Sequence, residues 1–271
     1  MNQRLRLLVL ALAAAMFLLA VWIGGALVSE ERYATQLALR NLAPSLQHWF
    51  GTDWLGRDMF ARTLKGLSVS VGVGIIAAAA SSLIAVVLGL AAAVLGRWAD
   101  RFVTWLIDLF MSVPHLVSLI LISFTLGGGL PGVVAGIALT HWPSLARIIR
   151  AEVLALRSAE YVQISRRLGK SRMWIAGKHM LPHLRPQLIV GALLLFPHAV
   201  LHEAAITFIG LGLSPHEPAI GIILSESMRY LSTGMWWLAF FPGLCLLLVV
   251  LAFDVMGRSL NQLWNPHTSQ R

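Results

Sequence analysis

Long apolar runs separated by short polar interruptions set the plan of this chain. The apolar runs fall at about residues 6–28, 69–95, 102–126, 130–149, 187–212 and 236–257. A helix needs about 20 such residues to cross a hydrocarbon core. The pattern therefore predicts an all-α membrane protein with six transmembrane helices. It also divides the chain into an N-terminal span with an external segment (1–65), a five-span core (66–260) and a short tail (261–271). An even number of spans puts both termini on one side.

The runs differ in what they carry. The second, SVGVGIIAAAASSLIAVVLGLAAAVLG, is dense in Gly, Ala and Ser. Small residues let helices approach closely, so this span belongs inside a bundle. The third contains Asp108, Pro114 and His115. Pro114 removes a backbone hydrogen bond and predicts a kink, and Arg101, seven residues before Asp108, is a candidate partner for that carboxylate. The fourth follows a GGGLPG turn and carries His141, Trp142 and Pro143.

The fifth run is the most polar, PHAVLHEAAITFIGLGLSP. His198 and His202 are four residues apart and share a helical face, with Glu203 adjacent. A charged carboxylate at membrane depth costs about 2.5–3.5 kcal/mol on insertion scales, so Glu203 should face the interior and a partner. Two histidines can ligate a borderline divalent ion, but a site needs at least three ligands and an outer shell. The pair reads as metal ligands, as the polar lining of a path that includes His141 and Glu203, or as a hydrogen-bonded core pair.

Composition narrows the class. With 58% hydrophobic residues, 12% charged residues and a mean hydropathy of +0.76, a soluble globular domain is excluded. The net charge of +9 points to nucleic acid only until its distribution is read. Fifteen of the 21 Lys and Arg fall in segments assigned to the cytoplasm, which is the positive-inside bias and calls for no nucleic acid. Arg4, Arg6, Arg258 and Arg271 place both termini in the cytoplasm. The run from Leu5 to Val28 is longer than a signal-peptide core and lacks a cleavage site, so it reads as a retained span. Cys245, the single cysteine, excludes an intrachain disulfide.

Two external segments carry charge. The first holds Glu30, Glu31, Asp53, Arg57 and Asp58, and its GTDWLGRD stretch leads into MFARTLKGL. This predicts an interfacial helix that caps the bundle, with Trp49 and Trp54 as headgroup anchors. The second, SPHEPAIGIILSESMRYLSTGMWW, is expected to lie at the surface with His216, Glu217, Glu226 and Arg229 as polar contacts.

A basic interruption runs from Ser158 to Pro182, within a loop spanning about 151–185. Ser158 can cap a helix with Glu160 in its first turn. Gly169 suits the left-handed residue that ends it, and Ser171 can start a second helix that Pro182 limits. Arg166, Arg167, Lys170, Arg172 and Lys178 assign this two-helix knob to the cytoplasm, where it invites a partner.

This segment and GTDWLGRDMFARTLK together resemble the permease subunits of bacterial ABC importers in the dipeptide, oligopeptide and nickel family. Family members show a pattern near EYVxAARxLG followed by HxLP. Glu160, Tyr161, Val162, Arg166, Leu168, Gly169, His179, Leu181 and Pro182 match it, whereas Gln163, Ile164 and Ser165 replace the acidic-alanine-alanine core. Peptide-type members resemble the chain in AEASLSFLGLG, matched at Glu203, Ala204, Thr207, Phe208, Gly210, Leu211 and Gly212. Nickel-type members resemble it in a pair spaced like His198 and His202 and in an ALxHW stretch like Ala138 to Trp142. The terminal stretch through Asp254, Gly257 and Arg258 is similar to the family's, with Asn265-Pro266 in place of Asp-Pro.

The resemblance implies a type I ABC importer permease fold with cytoplasmic coupling helices, in the inner membrane. It implies the second permease of a pair, two ATPase subunits and a periplasmic binding protein as partners. Glu160, Tyr161, Gln163, Ile164, Ser165, Arg166, Gly169 and Pro182 would couple to the ATPase. Nickel or a metal chelate is the cargo it favours, with di- and oligopeptides as the alternative. No cofactor is expected in this chain: LGKS at Leu168–Ser171 lacks the upstream glycine and strand of a phosphate loop, so ATP and Mg belong to the ATPase subunits. HExxH and GxSxG are absent. A metal-dependent enzyme built on His198, His202 and Glu203 is the reading from another class.

Overall fold

The computed structural model describes residues 3–214 and 217–264. His216, Asn265, Pro266 and Arg271 lie outside them. Ten α-helices carry the described fold: α1 (Gln3–Leu27), α2 (Met59–Leu95), α3 (Arg97–Ser112), α4 (His115–Thr125), α5 (Gly129–Leu156), α6 (Glu160–Arg167), α7 (Arg172–Ile175), α8 (Leu181–Phe208), α9 (Ile220–Met228) and α10 (Trp237–Trp264). Five helical stretches are long and apolar enough to cross a membrane, and a sixth span is made only if α3 and α4 are taken together.

α2 is the central element, in contact with α1, α3, α5, α8, α9 and α10. Its buried face is a ladder of small residues: Gly66, Ser70, Gly74, Ala77, Ser81, Ala85, Gly89 and Ala93. Close approach follows. A β-carbon on Gly89 would stand 2.9 Å from the Ile149 side chain and 3.0 Å from the Ala146 carbonyl of α5. The helix also starts earlier than the apolar run suggests. Asp58 caps it by accepting from the Ala61 N–H, and no proline interrupts residues 59–95. The MFARTLKGL stretch is thus the first turns of α2 and not a separate interfacial helix.

The kink expected at Pro114 is a full break. α3 and α4 meet at 100°. The residue before a proline is driven out of the helical region, and Val113 is extended (φ −90, ψ 138). Pro114 itself has ψ 122. Two consecutive non-helical residues turn the chain, whereas Pro143, Pro186, Pro197 and Pro242 all stay inside helices. Asp108 on α3 pairs with Arg147 of α5 at 2.9 Å, not with Arg101; the break lays α3 against α5.

The basic loop folds as α6 and α7. Ala159, not Ser158, is the N-cap of α6; the Ser158 hydroxyl instead donates back to the Ala155 carbonyl at 2.7 Å. Gly169 closes α6 at φ +79, and Ser171 caps α7 by accepting from the Trp174 N–H. Pro182 does not end the second helix, which continues from Arg172 to Phe208. A π turn at Ala176–Met180 precedes the proline. That widened turn relieves the clash a proline ring makes with the carbonyl four residues back.

α9 is buried rather than surface-lying. Ile220 and Ile223 are fully enclosed and the helix packs on α2, α8 and α10. The core lies around α2 in two clusters. One holds Leu67, Val71, Ile137, Phe196, Val200, Ile220 and Val249. The other holds Ala85, Val103, Trp142, Ile149, Val162, Ile175 and Leu184.

Candidate functional site

A cavity of about 700 Å³ is lined by residues of α3, α4, α5 and α8 together with Val113 and Pro114 between α3 and α4. Phe110, Pro114, Leu145, Ile148 and Leu194 supply apolar wall, and His115, His141, His198, His202 and Ser144 supply the polar groups. Three of these histidines form a cluster. The rings of His115 and His141 have centroids 4.4 Å apart, His115 and His202 4.6 Å, and His141 and His202 5.0 Å. His141 Nδ1 contacts the Ile137 carbonyl at 3.0 Å, and His202 Nδ1 contacts the His198 carbonyl at 2.7 Å.

The structure therefore brings His141 and His202 together, adds His115, and leaves the His198 ring outside the cluster. His115 was missed as a site residue by sequence reasoning, yet a signal was present. It lies twelve residues before Gly127, and His141 lies twelve after Gly129. In an antiparallel helical hairpin closed by that glycine turn, both sit about 18 Å from the bend. Equal spacing puts them level.

Glu203 is elsewhere. It is fully buried, and its Oε1 accepts from the Thr207 hydroxyl at 2.9 Å; it does not line the cavity.

The basic knob presents a second candidate surface. Val162 is buried and anchors α6. Arg157 ties its approach by donating to the Ala93 carbonyl at 3.1 Å. Ser165 and the His179 ring make a 3.0 Å contact, and Tyr161 and Trp174 pack edge-on to that ring. Ile164, Leu168 and Met173 remain exposed at 57%, 73% and 69%. Glu160, Gln163, Arg166 and Gly169 are exposed as well, whereas Pro182 is half-buried in α8. Apolar side chains left open beside Arg166 and Arg167 are the composition of a contact surface.

At the start of α2 the charges of the preceding segment close into one network. Asp53 accepts from Arg57 Nε at 2.6 Å and from Arg62 at 3.0 Å. Glu226 of α9 bridges to Arg57 at 3.0 Å and Arg62 at 2.7 Å. Glu226 is thus a structural partner, and Arg229 is exposed.

Comparison with known proteins decides what these surfaces belong to. Residues 85–265 match the profile of the family described as binding-protein-dependent transport system inner membrane component. The chain belongs to that family. A dipeptide transport system permease protein, DppC, from Bacillus subtilis (strain 168) is 34% identical over 252 residues, covering 93% of this chain and 79% of that protein. A putative peptide permease protein from Brucella suis biovar 1 is 39% identical over 233 residues, covering 85% and 76%. Among solved structures, an inward-facing MetNI methionine ABC transporter chain is 21% identical with a TM-score of 0.56, covering 74% of this chain and 97% of that one. The fold is that of a type I ABC importer permease. Membership makes the chain a multi-pass transport subunit of the inner membrane that works with an ATPase and a binding protein, and not an enzyme.

Proposed function

We propose that this permease carries short peptides. The observation behind this reading is that relatives aligned over 85–96% of the chain bear dipeptide or peptide permease names. Peptides therefore take the place of nickel as the favoured cargo. In this reading the chain pairs with a second permease, and the pathway runs between the two. Two ATPase subunits hold ATP and Mg and receive the exposed side of α6 through Tyr161, Gln163, Ile164, Ser165 and Arg166. Both termini face the cytoplasm, in keeping with the charges near them. Closure of the ATPases on ATP would move α6 and, through the π turn, α8, biasing a two-state bundle between inward and outward access.

The test is accumulation of radiolabelled dipeptide and tripeptide in cells with and without this gene, with nickel accumulation followed in parallel. Peptide uptake is expected to fall to background while nickel is unchanged. Lost nickel uptake with normal peptide uptake would overturn the cargo assignment.

A further inference from the structure

We propose that His115, His141 and His202 form a binding site for a divalent cation of borderline softness, with Zn²⁺ and Ni²⁺ as the best-fitting ions. Three helices supply one ligand each: α4, α5 and α8. One ring nitrogen from each residue lies within 4.8 Å of the other two. A tetrahedral ion with nitrogen ligands at 2.0–2.1 Å needs those nitrogens about 3.3 Å apart. Small side-chain rotations close that difference.

Elementary hydrogen-bond chemistry fixes two of the three tautomers. A carbonyl oxygen only accepts, so the nitrogen facing it carries the proton. His141 Nδ1 donates to the Ile137 carbonyl and His202 Nδ1 to the His198 carbonyl. Each ring therefore keeps its lone pair at Nε2; His202 Nδ1 also lies 3.3 Å from His141 Nε2, a contact that gives way when an ion takes the His141 lone pair. A backbone carbonyl behind an imidazole is the usual outer shell of a metal-bound histidine. His115 adds an independent sign, because its Nε2 is buried with no hydrogen-bond partner. A buried ring nitrogen without a partner calls for a group to satisfy it.

The donor set chooses the ion. Three neutral nitrogens without a carboxylate suit Zn, Ni or Cu and disfavour Mg and Ca. Glu203, next to His202 in sequence, bonds Thr207 instead. Three ligands leave one coordination position for the adjoining cavity of about 700 Å³, so a water or a donor atom of a passing solute completes the shell. His198 contributes its carbonyl and not its ring. The proposal concerns ion binding and does not depend on the peptide cargo.

The test is Co²⁺ titration of tag-free, full-length protein in detergent, followed by its visible absorption and by Zn²⁺ competition. One ion per chain is expected. His115→Ala, His141→Gln and His202→Gln should each weaken affinity at least about ten-fold, while unfolding without metal at the wild-type temperature. His115 is half-buried at a helix start, so its alanine variant is the one least exposed to misfolding. His198→Ala removes the ring but keeps the carbonyl, and should stay within about two-fold of wild type. No stoichiometric binding, binding that survives His115→Ala, or binding lost in His198→Ala would each overturn the site. Peptide uptake is a separate readout, so failure of one assignment leaves the other standing.

Discussion

Asp53 accepts four hydrogen bonds, from the backbone N–H groups of Leu55 and Arg57 and from the Arg57 and Arg62 side chains. It is 3% exposed, as is Arg62. Removing one member of a buried ionic set leaves the others uncompensated and costs about 3–5 kcal/mol. Asp53→Ala is therefore expected to lower the thermal unfolding midpoint of the purified protein sharply, and an unchanged midpoint would show the network to be dispensable. The compensating charges of GTDWLGRD were legible in the sequence. Their fourth member was not: Glu226 lies 169 residues beyond Arg57, and only the fold brings it there. Glu203 was legible for a plainer reason, since the price of a carboxylate at membrane depth demands an interior place and a partner. Its hydroxyl donor, Thr207, is one helical turn along the same face.

At the scale of elements, α2 and α5 make the most extensive helix–helix contact among the described residues, and it depends on the ladder of small side chains. Gly89→Leu would force an isobutyl group into Ile149 and the Ala146 carbonyl. Overpacking of this kind costs about 1–3 kcal/mol, so reduced membrane abundance is expected, with Gly72→Leu as the benign comparison because that site opens on free space. The composition of the second span announced this packing. What it could not announce was the break at Val113–Pro114. Pro143, Pro186, Pro197 and Pro242 are absorbed inside their helices, whereas Pro114 is not. The break there places His115 at the first position of α4, facing His141. Pro114→Ala permits helix through this point, so it should weaken Co²⁺ binding at the histidine cluster while the protein still reaches the membrane.

For the whole molecule, the number of long apolar runs was enough to state a helical membrane bundle, and the caps of the basic loop were enough to state that it folds as two short helices. Gly169 joins these. Its φ of +79 is strained for any side chain, yet a β-carbon there meets nothing within 4 Å. Gly169→Trp should therefore leave the bundle assembled while placing a large ring on the surface we propose for ATPase docking. Continued ATP hydrolysis with lost peptide uptake is the expected outcome in reconstituted vesicles, and wild-type uptake would remove α6 from the coupling surface. The π turn at Ala176–Met180 sets the angular phase between this surface and the membrane interior. One residue of an α-helix advances the face by about 100°. Forcing this turn into regular α geometry with all its residues kept would advance α8 by up to about that angle, and in doing so would swing His202 out of the cavity and carry the buried Glu203 toward a new face. The irregular turn is in this sense a clocking device: it holds α7 and α8 at one relative rotation, and a local gain in regularity would put the two ends of the molecule out of step.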